Sequence, residues 1–165
     1  MTEHTVVSNT TPLIAFLKKN ELGLLKKLFT KILIPQGVYD EISKNSLKYT
    51  SEKAMLVKEI ENGWLKVRNV ESFKLPKLNL GKGEVEAINL CFEIKTPLLL
   101  IDEKKGRNIA QSYKIEVIGT LGVLALANKR NLKNKQEINE NLRLLIKNNF
   151  YFSSDIILHF LNKLK

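Results

Sequence analysis

Short runs of β-branched and other apolar residues recur along the chain, and each is followed by a segment whose apolar residues return every three or four positions. The runs are HTVVS, KILIP, WLKVRNV, PLLLI and IEVIG. The helical segments begin near Thr11, Pro35, Ser51, Lys82, Glu103 and Thr120, with two more near Asn134 and Ser153. Strands that alternate with helices join in parallel, and parallel strands are buried on both faces. The pattern therefore predicts an α/β fold in three layers, α/β/α, around a central parallel sheet of four to five strands.

Local signals support several helix starts. Thr11 before Pro12 reads as an N-cap followed by proline at the first helical position, and Pro35 can open the next helix the same way. Near the end, Ser153 and Ser154 can cap DIILHFLNKL, whose spacing of Ile156, Ile157, Phe160, Leu161 and Leu164 predicts a docking helix. We expect one domain over residues 1–165, with C-terminal helices from about 134 to 165 packing on it or on a partner.

Composition narrows this little. At 165 residues, 44% hydrophobic and 27% charged, the chain is long enough for one domain with a full core. No apolar run approaches a membrane span and no leader pattern is visible, so the expectation is a soluble cytoplasmic protein without a membrane partner. The single Cys91, within AINLCF, reads as a small core residue. His4 and His159 stand apart from any second histidine or cysteine. Trp64 and the cluster Phe150, Tyr151 and Phe152 read as core or interface, since no interleaved basic pattern marks a base-stacking surface.

Charge matters more. Twenty-seven basic against 17 acidic residues give +10, which attracts polyanions such as nucleic acid. Yet 23 of the 27 are lysines, a bias that an AT-rich genome also produces, so the charge permits nucleic acid without requiring it.

The acidic residues carry the chemistry. In PLLLIDEKKGR a buried-type strand ends at Asp102, and ligands of open α/β sheets bind outside the carboxyl ends of strands. Capping of the next helix by Asp102, with Glu103 complementing its dipole, is the competing explanation. In GKGEVEAINL, at about 100° per residue, Val85, Ala87, Ile88 and Cys91 share a face and Glu84 falls near its middle, while Glu86 points to solvent. A carboxylate on the inward side is costly unless paired or bound to a cation. In PQGVYDEIS, Glu41 flanks the inward face of Val38, Tyr39 and Ile42. Asn9 directly follows HTVVS, and with Thr11 in the N-cap place it is left at the strand's carboxyl end. If strands one and four are neighbours, Asn9 and Asp102 line one crevice.

Oxygen donors at Asn9, Glu41, Glu84 and Asp102, with Glu103 nearby and no cysteine or histidine partner, suit a hard cation such as Mg²⁺ or Mn²⁺. Such an ion can activate water and stabilise the leaving oxygen in phosphodiester hydrolysis. No phosphate-cradling G-x-x-x-x-G-K-[ST] loop, dinucleotide fingerprint or nucleophile elbow is present. Lys82, Lys104, Lys105 and Arg107 flank the acids and can position a nucleic-acid backbone. Thr120, in GTLGVL, can cap a helix whose amide end receives a phosphate.

With those residues in place, the sequence resembles a PIN domain, the nuclease fold of VapC-type toxins and related RNA-processing enzymes. The stretches that carry the likeness are VVSNTTPLIAFLKKNELGLLKKLF with ILIPQGVYDEI, then GKGEVEAINL, then LLLIDEKKGRNIAQSYKIEVIGTLGVLALAN, in order over most of residues 5 to 132. The resemblance implies metal-binding acids at Glu41, Glu84 and Asp102, with Asn9 where most members have their first Asp. It also implies support from Glu103 and a metal-bound water held by Thr10. RNA is the implied substrate, and a small antitoxin protein or a second copy of the chain are the implied protein partners.

Two readings stay open at this stage. One is a metal-dependent ribonuclease; the other is a nucleic-acid-binding or protein-interaction module that keeps the fold without effective catalysis. They separate at Asn9, where an amide keeps an oxygen ligand and removes a negative charge. A small-ligand-binding α/β domain is a third class, which a basic, acid-lined crevice supports poorly.

Overall fold

The computed structural model describes residues 5–44, 48–75, 79–95 and 98–165; His4 lies outside them. Five short strands carry the sheet: β1 (Thr5–Ser8), β2 (Lys31–Pro35), β3 (Leu65–Arg68), β4 (Leu98–Leu100) and β5 (Glu116–Ile118). All pair in parallel, in the order β3-β2-β1-β4-β5. Register is continuous across the middle, with Val7 of β1 opposite both Leu33 of β2 and Leu99 of β4.

Successive strand residues point to opposite faces. Val6, Ile32, Ile34 and Leu100 join one buried cluster, and Val7, Leu33, Leu99 and Ile101 join the other. Onto the second face pack α5 (Lys82–Ile94) and α6 (Lys104–Ser112), through Ala87, Ile88, Cys91 and Ala110. The first face is covered by α1 (Thr10–Lys18), α2 (Leu22–Leu28) and α7 (Thr120–Lys129), with Phe16, Leu25 and Leu124 among the buried side chains. To the same cluster α3 (Gln36–Lys44) and α4 (Thr50–Glu61) add Val38, Ile42 and Leu56. This is the three-layer α/β/α arrangement with a parallel sheet of five strands. Cys91 sits in the core, and burial pushes its thiol up to about 12.

The C-terminal pair, α8 (Lys135–Lys147) and α9 (Ser154–Asn162), packs against α7. Asn134 caps α8 by accepting from the Glu137 amide at 2.9 Å, and Ser153 caps α9 by accepting from the Ile156 amide at 3.3 Å. Phe160 and Leu164 are buried in the main cluster, so α9 docks on this chain's own core.

Three element boundaries differ from the sequence expectation. The first helical stretch is broken in two, because Asn20 takes a left-handed conformation (φ 53°) that stops α1 before α2 begins. Pro35 does not open a helix; it ends β2, and α3 starts at Gln36. Thr11 is not the N-cap of α1, since the helix already includes Thr10 and Asn9 holds the cap position.

Candidate functional site

Strand order reverses beside β1: β2 and β3 extend one way, β4 and β5 the other. That reversal opens a crevice at the carboxyl ends of β1 and β4. Asn9 lies there, 4% exposed, its backbone amide donating to the Leu100 carbonyl at 2.9 Å. The two strands are neighbours, so Asn9 and Asp102 leave the sheet side by side. Asn9 occupies the cap position of α1 without a side-chain cap bond.

Two acids, Glu41 and Glu84, approach from one side. The Thr10 hydroxyl donates to Glu41 Oε2, tying the end of β1 to α3, and Glu41 Oε1 accepts from the Gly83 amide at 3.2 Å. A Cβ on Gly83 would stand 2.7 Å from that oxygen, so the glycine is what lets α5 approach the carboxylate. Glu84 has a split role. Its Oε2 accepts from the Gly81 amide at 3.0 Å, the capping interaction that opens α5, while its Oε1 is buried with no hydrogen-bond partner. Burial, opposed by the Gly81 bond, and then the charges of Glu103 and Glu41 push the Glu84 carboxyl above its ordinary 4.5.

Asp102 is held from the other side. Its Oδ1 accepts from the Thr120 amide at 2.7 Å and its Oδ2 from the Thr120 hydroxyl at 2.6 Å. Burial raises the Asp102 carboxyl above 3.8, against the lowering effects of Thr120 and the Arg107 guanidinium. Asp102 therefore does not cap α6, the helix that follows it. Glu103 does so, accepting from the Lys105 amide at 3.5 Å.

Two expected roles change here. Thr120 is fully buried, and Asp102 takes both its amide and its hydroxyl, so Thr120 itself positions Asp102 rather than offering those donors to a phosphate. Glu86 is not solvated. It is 7% exposed and accepts from the Gly37 amide at 2.5 Å, in the first turn of α3. The face of α5 that a single helical period assigns to solvent is covered by α3, and the anion satisfies an otherwise unpaired amide at a helix start.

The flanking cations divide. Arg107 donates to the Ile101 carbonyl at 2.9 Å and stands beside Asp102, and Lys105 reaches the Asn79 carbonyl at 2.6 Å and acts on Glu84. Lys82 pairs with Glu86 at 3.6 Å, and Lys104 is exposed. Thr10, Asp102 and Glu103 open onto a cleft of about 540 Å³, whose far walls include Lys18, Tyr49 and the segment 148–152. A second cleft of about 480 Å³ meets the first at Asp102 and is lined by Arg107, His159 and Lys163. Sequence reading missed these walls. The FYFSS cluster was visible, but its place beside the acids was not; Tyr151, expected in core or interface, is 89% exposed.

The donor chemistry fits a hard divalent cation. The side chains are all oxygen donors, and one buried carboxylate oxygen lacks a partner in the field of two further acids. Among the described residues, no three such side chains converge into a ready-made cage. A hard cation held by one or two carboxylates plus water meets that limit.

Comparison with known proteins agrees with this fold. The family model DUF3368, described as a PIN domain, matches residues 5–165. Among solved structures, the chain is similar to a PilT N-terminus domain protein from the hyperthermophilic archaeon Sulfolobus solfataricus P2. Identity is 25%, the TM-score 0.54, and the match covers 74% of this chain and 92% of that one. No curated protein matches the sequence significantly.

Proposed function

The chain belongs to the PIN-domain family, and from that premise we propose that it is a divalent-metal-dependent ribonuclease. The observation that carries the proposal is Glu84: a carboxylate with one oxygen buried and unpartnered, repelled by Glu41 and Glu103, at the strand-end crevice of an α/β sheet. A cation relieves that repulsion, and nothing in the capping role of its other oxygen requires it.

Asn9, Glu41, Glu84 and Asp102, supported by Glu103, would surround a bound Mg²⁺ or Mn²⁺, with one or two of the carboxylates as direct ligands and water completing its shell. When bound, the ion supplies a Lewis acid for a phosphodiester oxygen and lowers the pKa of water. The protein's own part is positional. Thr10 orients Glu41, and Thr120 fixes both oxygens of Asp102. Arg107 stands beside Asp102 where it can neutralise a phosphate oxygen, and Lys105 offsets the charge near Glu84. A toxin role, with an antitoxin or a second copy as partner, is consistent with apolar residues such as Leu144, Ile146 and Leu158 left exposed on α8 and α9.

One pair of observations favours a second reading, RNA binding without turnover: the amide at Asn9, and acids that do not converge on one point. A single assay separates the two. Purified protein is incubated with RNA in Mn²⁺ and in chelator, for wild type, Asp102→Asn and Asn9→Asp. The ribonuclease reading expects cleavage by wild type only with metal, and its loss in Asp102→Asn. Cleavage that appears only in Asn9→Asp assigns the natural protein to binding alone.

A further inference from the structure

Besides Asp102, the clefts on either side of it share two residues that the acid site does not use, Phe152 and Tyr151, and of the two only Tyr151 is exposed. Tyr151 lines both and is 89% exposed. Its exposure is built rather than loose. On either side of it Phe150 and Phe152 pack against the main core cluster. The Phe150 amide donates to the Leu145 carbonyl at 3.0 Å, closing α8, and Ser153 starts α9. A short segment pinned at both ends thus turns one aromatic ring outward at the edge of the acid crevice.

The surroundings of that ring are those of a polyanion track. In the larger cleft, Tyr49 faces the same space, with the Lys18 ammonium 5.8 Å and the Lys48 ammonium 5.1 Å from its ring centre. Arg107, His159 and Lys163 line the other cleft. Lys18 is paired with Glu52 at 3.1 Å; with Lys48 on one side and Arg107 and Lys163 on the other, positive groups line both clefts that meet at Asp102. At about 540 Å³ the larger cleft is of ligand size, within roughly 300–1,000 Å³. Stacked aromatics beside basic groups bind single-stranded nucleic acid, because every base offers a π-face.

We propose that Tyr151 is a base-stacking platform that seats a nucleotide of single-stranded RNA across the Asp102 crevice, with Lys18 and Lys48 on one side and Arg107 and Lys163 on the other. This rests on the reading of the acids as an RNA-directed site, but it concerns binding and not turnover. A duplex keeps its bases stacked internally and cannot use the ring, so the platform selects single strands.

The test is fluorescence anisotropy with a labelled single-stranded RNA, a duplex of the same length and an abasic single strand, in chelator at low salt. Wild type, Tyr151→Ala and Tyr151→Phe are compared; the exposed position spares the core. Tyr151→Ala is expected to weaken single-strand binding about 5- to 100-fold, Tyr151→Phe to retain it, and neither to change abasic or duplex binding. Unchanged single-strand binding by Tyr151→Ala overturns the platform, as does an equal loss on all three ligands. If wild type shows no metal-dependent cleavage while binding still depends on Tyr151, the ribonuclease reading falls and the platform stands.

Discussion

Replacing Thr120 by valine tests the assignment of this residue as the support of Asp102. Valine keeps the shape and the backbone amide, whose 2.7 Å bond to Oδ1 survives, and deletes only the hydroxyl that donates to Oδ2 at 2.6 Å. Thr120 is fully buried, so water cannot replace the lost donor. A hydrogen bond to a charged group is worth about 1.5–3 kcal/mol, and the metal-free protein should lose that much at neutral pH. With a urea dependence of about 1–3 kcal/mol per molar, the unfolding midpoint falls by about 1 M. The effect has a signed pH dependence. Burial holds the Asp102 carboxyl above its ordinary 3.8, and Thr120 opposes that rise. A carboxyl raised on folding contributes stability that is present below 3.8 and lost as pH climbs through the folded value. Thr120→Val raises the folded value further, so its deficit is largest at neutral pH. Below 3.8 it shrinks toward the roughly 1 kcal/mol of a neutral hydrogen bond. Thr120→Ser keeps the hydroxyl and should lose about 0.8 kcal/mol for its methyl group, with no pH dependence. Urea titrations of the three proteins at neutral and acid pH decide it. A valine variant as stable as wild type at neutral pH, or a deficit that does not vary with pH, refutes the support role.

Three further outcomes follow from the same geometry. Glu84→Gln keeps an acceptor for the Gly81 amide and removes a charge repelled by Glu41 and Glu103. Wild-type stability from this group is present below pH 4.5 and lost as pH rises, so the metal-free variant should be more stable than wild type at neutral pH and gain less from Mn²⁺; thermal melts with identical pH profiles would sink this. Asn9→Asp places a carboxyl at a site only 4% exposed, which should lower stability without metal and enlarge the rise in Tm on adding Mn²⁺. An unchanged Mn²⁺ response removes Asn9 from the site. Lys19, its side chain 1% exposed against Glu21, is lowered from 10.5 to about 8, chiefly by burial. The unfolded chain then binds the proton more tightly between those values, so stability should rise with pH through that window, by about 3 kcal/mol at 1.36 kcal/mol per unit. Chemical denaturation at several pH values should show this rise in wild type and not in Lys19→Met.

Local pattern alone carried the architecture. Alternation of β-branched runs with helical periods requires helices on both faces of a parallel sheet, whatever their exact ends, and the cap at Ser153 was legible because capping is a contact within four residues. Asp102 was legible at a strand's carboxyl end for the same reason. Long-range packing decided what each acid touches. A helical period gives one inward face, so it sent Glu86 to solvent; α3 lies on that side of α5 and buries it against the Gly37 amide. Thr120 read as a cap open to phosphate until the sheet brought Asp102 onto it from 18 residues away. Tyr151 read as core or interface, and only the path of the chain between α8 and α9 turns it outward beside the acids. Residue type and spacing thus set which groups the chain can offer, because those preferences act over a turn or a strand. Which of them meet was left to contacts between segments distant in sequence, which no local periodicity encodes.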